Sequence, residues 1–271
     1  MAISMKSQGF YRNYLTVFGV SHTGEKLTTD HKFKAGLMDN NFAAAAIMRL
    51  EQFGRLDIRK PIVNYLPRFR MKDERYKDIT IKHILTHTSG ISDAPALEQQ
   101  QLRSTPGTAY HYSDTAYRIL KDVIEHITDV TFEHYVKVVM LENIVHTRKM
   151  DDSLRHEVSV EDLDAWADIN MPGSIVPRHM APETHAKMMS PAFLVDSVQH
   201  IAMALGWTIQ KYKGIDVYQY EGSDANYQVL IMLLPGMDAT ISLICHRCPD
   251  ISNTRNRLLD MILSQHKEDI P

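Results

Sequence analysis

The sequence predicts an α+β fold, an antiparallel sheet flanked by helices with a helical region inserted into it. Three observations predict it. Residues 14–20, "YLTVFGV", alternate as a half-buried strand does. From Asp39 to Asn170, apolar residues recur at helical spacing in segments bounded by capping residues, Pro and Gly. After Met189 the pattern changes to four strand-like runs separated by Gly or Pro turns. The expected division puts residues 1–36 and 190–271 in the sheet region and residues 37–189 in the helical region. Together they are expected to form one compact two-lobed unit with the cleft between the lobes.

Each element has a local reason. After the first strand, "SHTGEKLT" is a turn. Residues 39–52 form a helix with Asp39 as its N-cap. Phe42, Ala43, Ala46, Ile47, Leu50 and Phe53 make its apolar face, and Gly54 is its stop. "RKPIVNYLPRF" is an extended connection punctuated by proline. "ITIKHILTHTSGI", residues 79–91, is a short helix ended by Ser89-Gly90. The Pro106-Gly107 turn leads into a helix starting near Ser113 or Asp114, with Leu120, Val123, Ile124 and Ile127 as its buried stripe. "FEHYVKVVMLENI" and "SVEDLDAWADIN" are further helices, the second capped by Ser159 with Asp162 three residues on. "ALGWTIQKYKG", "IDVYQYEG", "YQVLIMLLPG" and "ATISLICHR" are the four strands, and "NTRNRLLDMILSQH" is a closing helix.

Composition narrows the function classes. The 271 residues are 44% apolar and 23% charged, ordinary for a globular protein with a large core. A net charge of −3 without a Lys/Arg cluster excludes a nucleic-acid-binding face. No run of about 18 apolar residues predicts a membrane span. The first 20 residues lack the continuous apolar core of a signal peptide, so a cytoplasmic protein is expected. Cys245 and Cys248 form a C-x-x-C that ends an apolar strand and runs into Pro249. A redox pair opens a helix instead, so a structural or incidental role is expected. No second ligand pair suggests zinc, and neither a metal nor a cofactor is expected.

Four segments carry a resemblance. "GRLDIRKPIVNYLPRF", "ITIKHILTHTSGI" with its L-x-H-x-S-G ending, "PGTAYHYSDTAYRIL", and "LGWTI" followed by "YEGSDANYQVLIMLLPG" stand in order across residues 30–245. Together they resemble the serine β-lactamase and penicillin-binding-protein-like family, in the branch of class C enzymes and related esterases. The resemblance implies a β-lactamase/transpeptidase-like fold. The family's S-x-x-K motif sets a nucleophilic serine and a lysine one helical turn apart. Aligned on Phe33, Gly36 and Phe42, it falls on Leu37-Met38-Asp39-Asn40. No shift of register restores it: residues 23–88 contain no serine, and Ser21 has Gly24 three positions on. The family's Y-x-N motif falls on Tyr112-Ser113-Asp114. Its K-T-G or H-x-G edge-strand motif falls on Tyr220-Glu221-Gly222, without the basic residue.

The resemblance therefore implies a kept fold with a degenerate active site. Tyr112 and Asp114 are the expected catalytic residues, and Leu37, Asn40, Tyr220, Glu221 and Asp224 the expected substrate-binding ones. The phenol of Tyr112 is expected to be tuned downward by polar neighbours. Plainer roles stand beside these: Tyr112 as a hydrogen-bonding relic, Asp114 as a helix N-cap, Glu221 and Asp224 as solvated strand-end charges. His83 and His87, four apart, read as structural and not as a metal pair. Ser89 and Ser223 have no Lys or His at triad-like spacing. The expected function is non-covalent acid/base chemistry on a mostly apolar, neutral small molecule: isomerisation, cyclisation, dehydration or C–C lyase cleavage in a biosynthetic pathway. The alternatives are a non-catalytic pseudoenzyme that binds a ligand or partner, and a residual hydrolase that activates water. The expected partner is a small molecule, with no nucleic acid and no membrane.

Overall fold

A computed structural model describes residues 1–7, 14–21, 23–29, 31–141, 157–173, 180–246 and 250–268. In chain order the elements are β1 (Ala2–Ser7), β2 (Tyr14–Val17), β3 (Phe33–Lys34), α1 (Asp39–Gln52), α2 (Ile81–Leu85), α3 (Asp114–Thr128) and α4 (Phe132–Tyr135). They continue with β4 (Glu157–Val158), α5 (Val160–Asn170), α6 (Pro182–Met189), β5 (Phe193–Asp196), β6 (Ile201–Met203), β7 (Thr208–Tyr212) and β8 (Ile215–Ser223). β9 (Tyr227–Leu234), β10 (Ala239–His246) and α7 (Ile251–Glu268) close the chain.

Eight strands form one sheet in the order β2-β1-β10-β9-β8-β7-β6-β5, with antiparallel neighbours throughout. The N-terminal strands thus pair with the C-terminal one, and the helices are spliced between. β9 and β10 are apolar without alternation because both of their faces are covered. Val229, Ile231 and Leu233 pack in the cluster that contains α1, α3 and α5. Leu230, Met232 and Leu234 pack in the opposite cluster with Leu258, Leu259 and Ile262 of α7. α5, inside the span expected to be purely helical, lies on β1, β9 and β10. Lys6 of β1 ties to it through Asp164 and, at 3.0 Å, Asp168.

α1 runs through the centre of the helical layer, and every residue from Asn41 to Met48 is buried. Its four consecutive alanines, Ala43–Ala46, let neighbours approach closely on all sides. One of them sets the limit: a Cβ placed on Gly206 would lie 2.3 Å from the Cβ of Ala44. Gly206 also has φ +88, a conformation that favours glycine. Next to this contact, Asn41 Nδ2 donates to the Gly206 carbonyl at 2.9 Å. Its Oδ1 accepts from Trp166 Nε1 at 2.7 Å.

Several local expectations are corrected. Asp39 does not cap α1: the N-cap is Met38, without a side-chain bond, and Asp39 pairs with Lys121 of α3. Phe53 is 58% exposed under Arg49 and is not part of the buried face. The helix expected over 79–91 is helical only over α2, where Thr80 and His83 form a capping box. α4 continues as a π-helical turn over Val136–Leu141, and the end of its expected span lies outside the described residues. β1, β5, β6 and α6 were not expected. Three of them are short, and β1 owes its strand state to pairing on both sides by β2 and β10. Cys245, at the end of β10, is disulfide-bonded, and Cys248 lies outside the described residues. Among the described residues no helix is long and apolar enough to cross a membrane.

Two substitutions test the helix–sheet join. Asn41→Leu removes the acceptor that Asn41 offers the Trp166 indole N–H and the donor it offers the Gly206 carbonyl, buried hydrogen bonds whose loss costs about 1–3 kcal/mol each. The expected loss in urea denaturation is about 2–4 kcal/mol. Gly206→Ala must push Ala44 aside and hold an L residue at positive φ, and is expected to cost at least about 2 kcal/mol. Unchanged denaturation midpoints would show that the join does not depend on this contact.

Candidate functional site

The site is built where the starts of α1 and α3 meet the end of β8. Ser113 caps α3, its hydroxyl accepting the Ala116 N–H at 3.0 Å. Asp93 braces that cap: its Oδ1 accepts the Ser113 hydroxyl at 2.9 Å and the Thr115 N–H at 2.8 Å. Partial burial alone would raise the Asp93 pKa, but these hydrogen bonds outweigh it and hold the carboxyl below its usual value. With Ser113 turned inward as the cap, Tyr112 and Asp114 on either side are both presented outward. Asp114 is the first residue of α3, not its N-cap.

Asn40, in the first turn of α1, completes a triangle with them. Its Nδ2 donates to Asp114 Oδ1 at 2.7 Å and lies 3.5 Å from the Tyr112 hydroxyl. The Tyr112 hydroxyl donates to the same Asp114 oxygen at 2.7 Å. The second carboxylate oxygen of Asp114 has no hydrogen-bond partner among the described residues, and Asp114 has no ion-pair partner there. The expected downward tuning of Tyr112 is corrected. Desolvation by the surrounding walls and the adjacent Asp114 carboxylate both push its ionisation upward, so the phenol stays protonated and acts as a donor.

His87 stands behind Tyr112. Their rings lie 4.5 Å apart and tilted by 30°, and Tyr117 lies 4.9 Å from the imidazole. His87 is 5% exposed, and burial pushes its pKa down to about 4. Its Nδ1 accepts the Ser113 N–H at 3.3 Å, so the proton of the neutral ring sits on Nε2. It is not helical: φ is +53, past the end of α2. His83 is engaged elsewhere, in the α2 capping box. Among the described residues, no group of three His, Cys, Asp or Glu side chains is arranged to hold a metal.

β8 supplies the opposite wall. Its pairing with β7 ends at Gln219, opposite Thr208, whereas its pairing with β9 continues to Ser223. Tyr220-Glu221-Gly222 therefore extends past the end of the β7 ladder although β8 is an interior strand. Burial, and the nearby tyrosines and carboxylates, push the Tyr220 phenol well above its ordinary value. Glu221 lies 3.5 Å from Arg255 of α7.

These walls enclose a cavity of about 200 Å³ lined by Asn40, His87, Tyr110, Tyr112, Tyr117, Trp207, Tyr220 and Glu221, among others. An adjoining depression of about 170 Å³ is lined by Gly36, Asp39, Asn40, Asp114, Arg118, Lys121 and Ser223, among others. Of the residues expected at a site, Asn40, Tyr112, Asp114, Tyr220 and Glu221 converge. Leu37 lies in the single turn of 3-10 helix before α1, next to Gly36, and its side chain lies outside what the structure describes. Asp224 lines neither cavity: it closes the β8–β9 turn, accepting the N–H groups of Asn226 and Tyr227, each at 2.7 Å. Ser89 is buried and turned to its own backbone at Ile91. Sequence reasoning missed Asp93, Trp207 and Lys121. Trp207 had a signal, the "LGW" at the head of a strand. The other two act through contacts 20 or more residues away, which no local pattern reveals.

The β-lactamase family profile matches residues 10–148. The chain is 30% identical over 118 residues to the PbpX protein of Bacillus subtilis, covering 39% of this chain and 29% of that one. It is 22% identical over 289 residues to penicillin-binding protein 4 of Amycolatopsis lactamdurans, covering 83% of this chain and 75% of that one. The matched stretch thus spans less than a third of PbpX. Among solved structures, a class C β-lactamase in complex with cefoxitin superimposes with a TM-score of 0.79 at 15% identity, covering 97% of this chain and 92% of that one. A penicillin-binding protein from Bacillus halodurans superimposes with a TM-score of 0.74 at 17% identity over 90% of both chains. At these identities the structures show a shared fold.

The buried histidine makes stability depend on pH. A folded pKa of about 4 lies below the ordinary 6.5. The unfolded chain therefore takes up the proton first, and stability is lost as pH falls from 6.5 towards 4. The full effect is about 3 kcal/mol at about 1.4 kcal/mol per unit. Asn tolerates the left-handed backbone and does not titrate. His87→Asn is expected to lose about 2 kcal/mol less than the parent between about pH 7 and 4.5 in urea denaturation. Parallel pH profiles for the two proteins would contradict it.

Proposed function

The chain belongs to the β-lactamase family, and from that premise we propose that its cleft binds a small molecule without covalent chemistry. The closed triangle of Asn40, Tyr112 and Asp114 carries this reading. By the family resemblance, Leu37 and Asn40 occupy the positions of the nucleophilic serine and its lysine. An amide cannot take up a proton from a nucleophile, and a phenol with a raised pKa cannot act as the base in its place. In one serine protease, loss of the nucleophile alone costs on the order of a million-fold in rate. The degenerate motif therefore supports binding, with the two-sided aromatic wall and polar rim suited to a mostly apolar molecule.

One observation favours a second reading, proton-transfer catalysis. Asp114 keeps one carboxylate oxygen without a partner, and the protonated Tyr112 stands beside it. In that reading Asp114 removes a proton from carbon and the Tyr112 phenol donates one to the oxygen that gains charge. Isomerisation, dehydration and cyclisation through a carbanion use such a pair, and in C–C cleavage Asp114 takes the proton from a hydroxyl while Tyr112 donates to the departing enolate.

Intact-mass analysis after exposure to a β-lactam, an activated ester and a fluorophosphonate is expected to show unmodified protein. Stoichiometric labelling of a serine in the cleft would overturn the proposal. The double substitution Leu37→Ser with Asn40→Lys is expected to stay folded in a thermal melt and still form no acyl-enzyme. Its added ammonium would pair with Asp114 instead of activating the new hydroxyl. For any compound found to turn over, Asp114→Asn is expected to lower kcat by at least about 100-fold with KM within a few fold. A kcat that survives this change would remove Asp114 from catalysis.

A further inference from the structure

The charge balance of the cavity singles out one class of ligand. Four tyrosines and a tryptophan line it: Tyr110, Tyr112, Tyr117, Tyr220 and Trp207. Among the lining residues the only formally charged side chain is Glu221. The lining contributes no positive charge. Asn40 is a neutral amide, and His87 is held neutral by burial. A lysine and an arginine line the adjoining depression, where Lys121 pairs with Asp39 and Arg118 donates to Thr115 Oγ1 at 2.9 Å. Asp114 stands in that same depression, one turn of α3 before Arg118, beside the Asn40 and Tyr112 that both hollows share, and presents a carboxylate oxygen with no ion-pair partner among the described residues. Arg255 offsets part of the Glu221 charge, at 3.5 Å, whereas Asp114 has neutral donors and, among the described residues, no ion pair.

Rings present electron-rich faces to a cation, and the attraction grows when the cation is desolvated among them. Carboxylates at the rim add a long-range term of the same sign. An anion meets the reverse: an aromatic wall, the Glu221 carboxylate in the lining, Asp114 beyond it and no cationic side chain in the lining itself. We propose that the cavity beside Tyr112 and Tyr220 binds an organic cation, specifically a methylated or quaternary ammonium group, seated among the rings with its charge towards Asp114 and Glu221. This rests on the reading of the cleft as a non-covalent small-molecule site, and names the class of molecule it takes. A methylated ammonium suits the wall better than a primary one. It carries its charge on an apolar surface and leaves no N–H donors to be satisfied by rings.

The test is a calorimetric titration of the whole chain with choline, with the neutral isostere of choline in which carbon replaces nitrogen, and with acetate. Choline is expected to bind at least about tenfold tighter than the isostere, the difference expected of a desolvated cation among rings. Acetate is expected not to bind. Asp114→Asn and Glu221→Gln should each weaken choline binding by about 3–10-fold and leave the isostere unchanged. Tyr220→Leu, which keeps apolar bulk without the ring, should weaken choline more than the isostere. Equal affinity for choline and its isostere would overturn the cation proposal and leave the small-molecule reading standing. Preferential binding of acetate would overturn it in favour of an anion. If no probe binds, both the proposal and the small-molecule reading fail.

Discussion

Two hydrogen bonds from one buried side chain, Asn41, hold the helical layer on the sheet. Beside them, Ala44 meets Gly206 with no room for another carbon. A polar group at full burial is tolerated only when its bonds are made, so these bonds admit one orientation of α1. That orientation decides where the first turn of α1 lies, and with it Asn40. It also sets Gly206 and Trp207, just before β7, beside Tyr117 of α3 in the cavity wall. The cleft is thus positioned by a core contact, one side of which, Gly206, is part of the cavity wall.

The same economy appears at α3. A single serine facing inward as the cap, braced by Asp93, forces the residues on both sides of it to face outward. Tyr112 and Asp114 are held within 2.7 Å of each other by backbone geometry before any ligand arrives. Pre-organisation of this kind removes the ordering cost from binding. It also commits the Tyr112 proton to Asp114, which is why the phenol is a donor here. Desolvation by the walls and the Asp114 carboxylate beside it both move its ionisation upward, against the smaller opposing pull of the Asn40 amide.

Membership of the β-lactamase family and the shared fold describe the frame. What the cleft does depends on the few side chains at three places in that frame, the starts of α1 and α3 and the end of β8. Their charges, more than their shapes, separate the possible ligands. A cavity of about 200 Å³ lined by rings, with Glu221 as its one formally charged lining residue, differs in charge from a site built on a lysine and a second basic residue.

The sequence by itself determined the frame. Periodicity placed α1, α3, α5 and the meander β7–β10, because burial of one or both faces writes itself into residue order. Ordered motifs located Asn40, Tyr112, Asp114, Tyr220 and Glu221 as site candidates. Only the tertiary structure decided their roles. Asp39 looked like a cap and is an ion-pair partner, because Lys121 comes from 82 positions away. Asp224 looked like a cleft carboxylate and closes a turn. Tyr112 was expected to ionise more easily and does the opposite, since a pKa depends on which charge stands within a few ångströms. His87 read as plain structure and lines the cavity, because its left-handed backbone turns it off the helix that its spacing suggested. Local patterns carry no information about such distances, and side-chain chemistry is set by them.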